Sequence, residues 1–146
     1  MSQSSSAKLG EEACGQGLAN LAMALAKLRY EDTAFMEALA GIVCGSIERL
    51  SLVDVGQIAF AFGKLRIESS EAVPAMFGCI AERVADEEES LSRHLPTACS
   101  LLYGMHRLGL ECSEFSEMVA SRLHPAVGNL DVKQLLLIIP ACRYVE

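Results

Sequence analysis

Six of the 12 basic residues fall into two columns when the sequence is set against itself. Lys27, Lys64 and Arg107 hold one position of a recurring segment, and Arg29, Arg66 and Arg143 hold the position two residues on. Cations repeated at a regular structural interval suit a polyanion whose phosphates also recur regularly. The chemistry these residues could do is to hold the backbone of a single-stranded nucleic acid such as RNA. A second origin gives the same residues. Each cation stands near the end of an expected helix, where the helix dipole favours positive charge. The columns also have gaps. Gly109 takes the second position in the third copy, Ala141 takes the first position in the fourth, and Pro140 lies beside it.

No other constellation offers chemistry. His94, His106 and His124 are not spaced as metal ligands, and His94 with Cys99 gives two ligands across Pro96 where a zinc site needs more. Gly15-Gln16-Gly17 precedes a helix without following a strand, so it is no dinucleotide loop. No Ser or Cys sits in a nucleophile motif, and Glu37, Glu48, Glu82, Glu114 and Glu117 read as solvated helix faces. The expectation is a protein that is not an enzyme and carries no metal or cofactor.

The elements that must position the columns are themselves repeated. Lys27-Leu28-Arg29-Tyr30 returns as Lys64-Leu65-Arg66-Ile67 at an offset of 37, with residues 21–26 over residues 58–63. A third copy, residues 101–108, lies 43 further on. A fourth starts at Asp131-Val132-Lys133-Gln134, 77 beyond Asp54-Val55-Gly56-Gln57. Recurrence of this length is the signature of stacked units. The expected fold class is all-α, an α-solenoid of antiparallel helix pairs with about three and a half units of about 37 residues.

Helix signals divide the units. Asp54 and Asp131 read as N-caps, with Gln57 and Gln134 three residues on. Val73, Met76, Phe77, Ile80 and Val84 recur at three- and four-residue steps. The pairs fall near 17–28 with 33–47, 54–65 with 71–86, and 97–108 with 114–124, and the fourth unit has only its first helix. No segment alternates as a strand does, so no sheet is expected. Ala22, Ala24, Ala59, Ala61 and Gly104 allow close helix contact, with Met23, Phe60, Tyr103 and Leu137 filling between units. The six extra residues before the third unit fall around Asp86–Ser90, an acidic surface loop or an extra helical turn. Leu135 to Ile139 leave an apolar face, for which a protein partner is the expected cover.

Composition bounds the reading. A net charge of −7 counts against a protein that coats nucleic acid all over, and leaves room for a local basic stripe. The six cysteines form no CxxC and read as reduced thiols in a non-oxidising compartment. The longest uncharged stretches fall short of the roughly 18 residues a membrane helix needs, so no membrane insertion is expected. Residues 1–16 are Ser-rich, carry Glu11 and Glu12 and no Arg, and read as a disordered or polar tail and a poor organellar presequence. Residues 17–146 then form the repeat domain, expected to be a piece of a longer array.

The segment Leu-Ala-Asn-Leu-Ala-Met-Ala-Leu-Ala-Lys-Leu at 18–28, echoed by Gln-Ile-Ala-Phe-Ala-Phe-Gly-Lys-Leu at 57–65, resembles the organellar helical repeats of FAST-kinase-like and RAP-domain proteins. These are the heptatricopeptide repeats and the related octotricopeptide repeats. The resemblance spans about residues 17–144 and is clearer in the first two units than in the last two. It implies an α-solenoid in mitochondria or plastids that acts on organellar rRNA or mRNA, in RNA metabolism or translation, including as a ribosome component. The alternative is a protein–protein scaffold subunit of a mitochondrial complex without RNA contact. Under the first reading the RNA-binding residues are Lys27, Arg29, Lys64, Arg66, Arg107 and Arg143.

Overall fold

Side-chain caps mark the starts of three helices of this chain. The computed structural model describes residues 2–67, 71–110 and 113–142, and among them it is all-helical, with eight α-helices and no strand. These are α1 (Ser2–Lys27), α2 (Thr33–Gly45), α3 (Leu52–Leu65), α4 (Ala72–Ala85), the short α5 (Glu88–Leu91), α6 (Leu95–Arg107), α7 (Ser113–Leu123) and α8 (Val132–Cys142). Asp32 caps α2 by accepting the Phe35 amide at 3.1 Å. Ser51 caps α3: its Oγ accepts the Asp54 amide at 3.1 Å, while Asp54 Oδ2 accepts the Ser51 amide at 3.1 Å. This reciprocal box corrects the reading of Asp54 as the cap, because the helix begins at Leu52 and Asp54 is its third residue. At α8 the expected box is present: Asp131 Oδ1 accepts the Gln134 amide at 2.8 Å and Gln134 Oε1 accepts the Asp131 amide at 3.0 Å.

The caps also correct the register of the fourth segment. Helices α3, α6 and α8 begin at Leu52, Leu95 and Val132, intervals of 43 and 37. The offset from α3 to α8 is therefore 80, not 77. Under it Ser51 matches Asp131, and buried Ile58 and Ala61 match buried Ile138 and Ala141. Asp54 and Asp131 look alike in sequence but hold different cap positions. Position 143 then matches Gly63 and not Arg66, so Arg143 leaves the second basic column. Arg143 itself lies outside the described residues.

Packing follows one row of helices and part of another. α1 packs on α3, α3 on α6 and α6 on α8, while α2 packs on α4 and α7 on α6. Glycines set the α3–α6 separation. A Cβ on Gly63 would lie 2.8 Å from the Gly104 Cα, and one on Gly104 would lie 2.5 Å from the Ala59 carbonyl oxygen. Gly56 meets Thr97 near the helix starts and Gly63 meets Gly104 near their ends, so α3 and α6 run parallel. Thr97 Oγ1 donates to the Leu52 carbonyl at 3.0 Å inside this contact. The expected small residues Ala22, Ala59, Ala61 and Gly104 are buried, whereas Ala24 faces solvent. Phe62, Ile58, Leu101, Met36, Met76 and Ile80 are fully buried around them. Each large apolar side chain so buried contributes roughly 1.5–3 kcal/mol.

Two further features differ from the sequence reading, and a third decides between two alternatives it left open. First, α1 begins at Ser2 and not near Gly17. Ala7, Leu9, Glu11, Glu12 and Ala13 are ready helix formers, and extending a helix already nucleated by packing is easy. Gly15 already belongs to the packed part, since a Cβ there would meet the Arg49 carbonyl at 3.0 Å. Second, Cys44 of α2 and Cys79 of α4 form a disulfide, with Cα atoms 5.8 Å apart. The spacing gave no hint of it because the pair forms across neighbouring helices, at a separation that suits the bond. Third, of the two alternatives for the acidic insert the structure has the extra helical turn, and it has partners. Leu91 of α5 is fully buried, Arg83 pairs with Glu87 at 2.9 Å, and Arg122 of α7 pairs with Glu88 at 2.8 Å. Among the described residues no helix is long and apolar enough to cross a membrane.

Candidate nucleic-acid interface

Parallel first-row helices end side by side, and the basic columns stand at those ends. Lys27 closes α1, Lys64 is one residue from the end of α3, and Arg107 closes α6. All three helices stop at a residue with positive φ, and α1 and α6 share the same closing bond. Tyr30 N–H reaches back to the Leu25 carbonyl at 3.0 Å after α1, and Leu110 N–H reaches the Met105 carbonyl at 2.9 Å after α6. Such closures need a residue in the left-handed conformation. Arg29 (φ 53°), Arg66 (φ 49°) and Gly109 (φ 66°) supply it at matching positions. The second basic column is thus the column of left-handed closing residues. Gly109, which looked like a gap in that column, is the residue best suited to this backbone. An arginine there gives up about 1–2 kcal/mol relative to an unstrained position.

The first column has a different setting. Phe60 of α3 and Tyr103 of α6 stack with ring centroids 5.1 Å apart, both rings half-buried. One helical turn further on, the Lys64 ammonium lies 6.0 Å from the Phe60 ring and the Arg107 guanidinium 5.8 Å from the Tyr103 ring. Arg107 Nε also donates to the Gly63 carbonyl at 3.3 Å, so this cation closes the end of α3 as well. Lys27, Arg29, Lys64 and Arg66 are exposed and Arg107 is half-buried. The ring faces are taken by each other and by the cations. The edge can therefore offer charge to phosphates beside a ring pair that is engaged by its own cations.

The helices from α3 on are poor in acid at this edge, whereas Glu31 and Asp32 are exposed just past Arg29. From Leu52 on, the described first-row helices contain one acidic residue, Asp54, whose carboxylate is engaged in the α3 cap. Glu37, Glu82, Glu114 and Glu117 lie on α2, α4 and α7, and the ion pairs Arg83–Glu87 and Arg122–Glu88 lie beside α4, α5 and α7. Five of the six residues singled out from sequence thus lie at the C-terminal ends of three consecutive packed helices, and the sixth, Arg143, is outside the described residues. Sequence reasoning took Phe60 and Tyr103 for filler between units. The signal that identifies them is an aromatic four residues before a cation in both helices, the spacing that puts two side chains on one face. Among the described residues no three His, Cys, Asp or Glu side chains converge as a metal site. No protein-family model, curated protein or solved structure matches this chain.

Proposed function

We propose that this chain is an α-solenoid of helix pairs that binds single-stranded RNA through the phosphates, along the edge where α1, α3 and α6 end. The observation that carries the reading is the shared placement of Lys27, Lys64 and Arg107 at those ends, with Arg29 and Arg66 closing two of the helices. The acid-poor first row supports it, because an edge on a chain of net charge −7 must be locally basic to attract a polyanion. The resemblance of residues 18–28 and 57–65 to heptatricopeptide and octotricopeptide repeats puts the activity in mitochondria or plastids, in RNA metabolism or translation. Binding through phosphates positions the strand without reading its sequence.

Filter binding of single-stranded RNA at several salt concentrations tests this. With about four phosphate contacts the log affinity should fall against log salt with a slope near −3, at roughly −0.7 per contact. Changing Lys64 and Arg66 together to Glu should weaken binding to all sequences alike. Equal, weak binding by the wild type and the double variant would refute the reading. A scaffold without RNA contact is the second reading, and the exposed apolar side chains Val132, Leu136 and Ile139 on α8 favour it.

A further inference from the structure

Seven residues before the first cation column stands a third column. Asn20 precedes Lys27, Gln57 precedes Lys64 and Ser100 precedes Arg107, each by seven residues. Seven residues are two helical turns, so each of these side chains leaves its helix on the same face as its cation, about 10 Å nearer the helix start. Helices α1 and α3 pack on each other, and along their seam the column borders a cleft of about 390 Å³. The cleft is lined by the carboxamides of Gln16, Asn20 and Gln57. Gln16 and Asn20 are exposed and Gln57 is half-buried. No hydrogen bond within the described residues engages any of the three, whereas the carboxamide of Gln134 closes the α8 cap. The adjoining gap between α3 and α6 has about 210 Å³, is lined by Val53 and Pro96, and offers the Ser100 hydroxyl in place of an amide. The seam between α1 and α3 is therefore the one with room and with paired carboxamides.

We propose that this cleft takes one unpaired base of the strand held at the cation edge, adenine fitting it best, and that Asn20 and Gln57 discriminate that base. The inference rests on the RNA reading above and adds base recognition to it. A carboxamide sets one donor beside one acceptor, and it pairs with a base edge that sets an acceptor beside a donor. Adenine presents such a pair on two edges, N6–H with N1 and N6–H with N7, so it is met in either orientation. Asn20 stands on the α1 wall and Gln57 on the α3 wall, at equivalent positions of neighbouring helices. A strand with its phosphates on Lys27 and Lys64 crosses half-buried Met23 and Phe60 and turns its bases toward the cleft. The carboxamides are uncharged and add nothing to the attraction of phosphates, so what they supply to such a strand is hydrogen bonding to base edges. Only an unpaired base can turn its edge into the cleft. An uncharged peptide would also satisfy the amides, but it would leave unused the cations that share their face.

Fluorescence anisotropy of the whole 146-residue chain with labelled RNA tests the proposal. Three strands of one length are compared at one salt concentration. They are oligouridine, oligouridine with one central adenosine, and the same strand with purine riboside, which lacks the N6 amino group, at that place. The adenosine strand should bind roughly tenfold tighter than oligouridine, as a bidentate base contact gives. The purine riboside strand should lose most of that gain. Asn20→Ala and Gln57→Ala should each bind the three strands alike, with the salt slope unchanged. Far-UV circular dichroism should show both folded; if Gln57→Ala is not, Gln57→Glu keeps the size of the side chain, removes its donor and should lose the preference in the same way. Changing Lys64 and Arg66 together to Glu should weaken all three strands by one factor and keep the adenosine preference. A wild type that binds the three strands equally overturns the inference and leaves the phosphate reading standing. An adenosine preference that survives both Asn20→Ala and Gln57→Ala overturns it as well. A wild type that binds none of the strands overturns the RNA reading, and this inference falls with it.

Discussion

Arg66 ends α3 with φ 49° and ψ 47°, a backbone state that glycine enters freely and a residue with a Cβ does not. Replacing it separately with Gly and with Ala isolates that effect, because both variants remove the same charge and differ only by the Cβ. The left-handed conformation costs an L-residue about 1–2 kcal/mol. Glycine gives back about 0.5–1 kcal/mol through its freer unfolded chain. The Gly variant should therefore exceed the Ala variant by roughly 0.5–1 kcal/mol, which for a domain of this size is about 1–4 °C in Tm. Gly109 offers the mirror experiment, since it holds the same position after α6 with φ 66°. Gly109→Ala should lower Tm by a similar amount. Thermal unfolding followed by circular dichroism at 222 nm measures both. An Arg66→Ala protein as stable as Arg66→Gly, or a neutral Gly109→Ala, would refute the claim that backbone strain is stored at these closures. The RNA reading adds a separate expectation: both Arg66 variants bind RNA more weakly, and their salt slope falls by roughly 0.7. A strained position occupied by a cation in two of three helices is then explained by use and not by stability.

Two further outcomes follow from packing and cross-linking. Gly104→Ala should destabilise the fold by about 1–3 kcal/mol in urea titrations, because its Cβ would lie 2.5 Å from the Ala59 carbonyl oxygen; Gly78→Ala, with nothing within 4 Å, should be neutral or stabilising. A Gly104→Ala protein as stable as the wild type would show that α3 and α6 are not held at glycine-limited distance. Cys44→Ser should lose about 3–4 kcal/mol, the loop-closure effect of a bridge spanning 35 residues. Alkylation with mass detection, before any reductant, should leave Cys44 and Cys79 unmodified, and labelling of both would refute the bridge.

Helical character was legible because it is carried by local signals. The apolar steps through Val73, Met76, Phe77, Ile80 and Val84 need no tertiary information, and all five are buried on α4. The boundaries were less legible. Asp54 and Asp131 are both followed three residues on by Gln, and only the choice of Ser51 as cap reveals that the likeness is accidental. The basic columns could be read as far as their spacing. That Arg29 and Arg66 hold left-handed closures could not, because most residues in that state are Gly or Asn and an arginine carries no such mark. The Cys44–Cys79 bridge was invisible for another reason: it depends on which helices become neighbours, and no spacing rule encodes that.

The short helix α5 shows where this chain tolerates added length. Six residues more separate α3 from α6 than separate α6 from α8, yet α6 still lies on α3 with Thr97 against Gly56 and Gly104 against Gly63. The insertion is absorbed between α4 and α6, where the closure entropy of a connection rises only slowly with its length. Within a first-row helix the same freedom does not exist. One residue inserted into α3 ahead of Gly63 would turn everything after it by about 100°. Gly63 would leave its seat on Gly104, and Lys64 would swing off the shared edge. Lengthening is therefore permitted in the connections and forbidden in the row, and the spacing of the cations is kept by the helices that carry them and not by the number of residues between them.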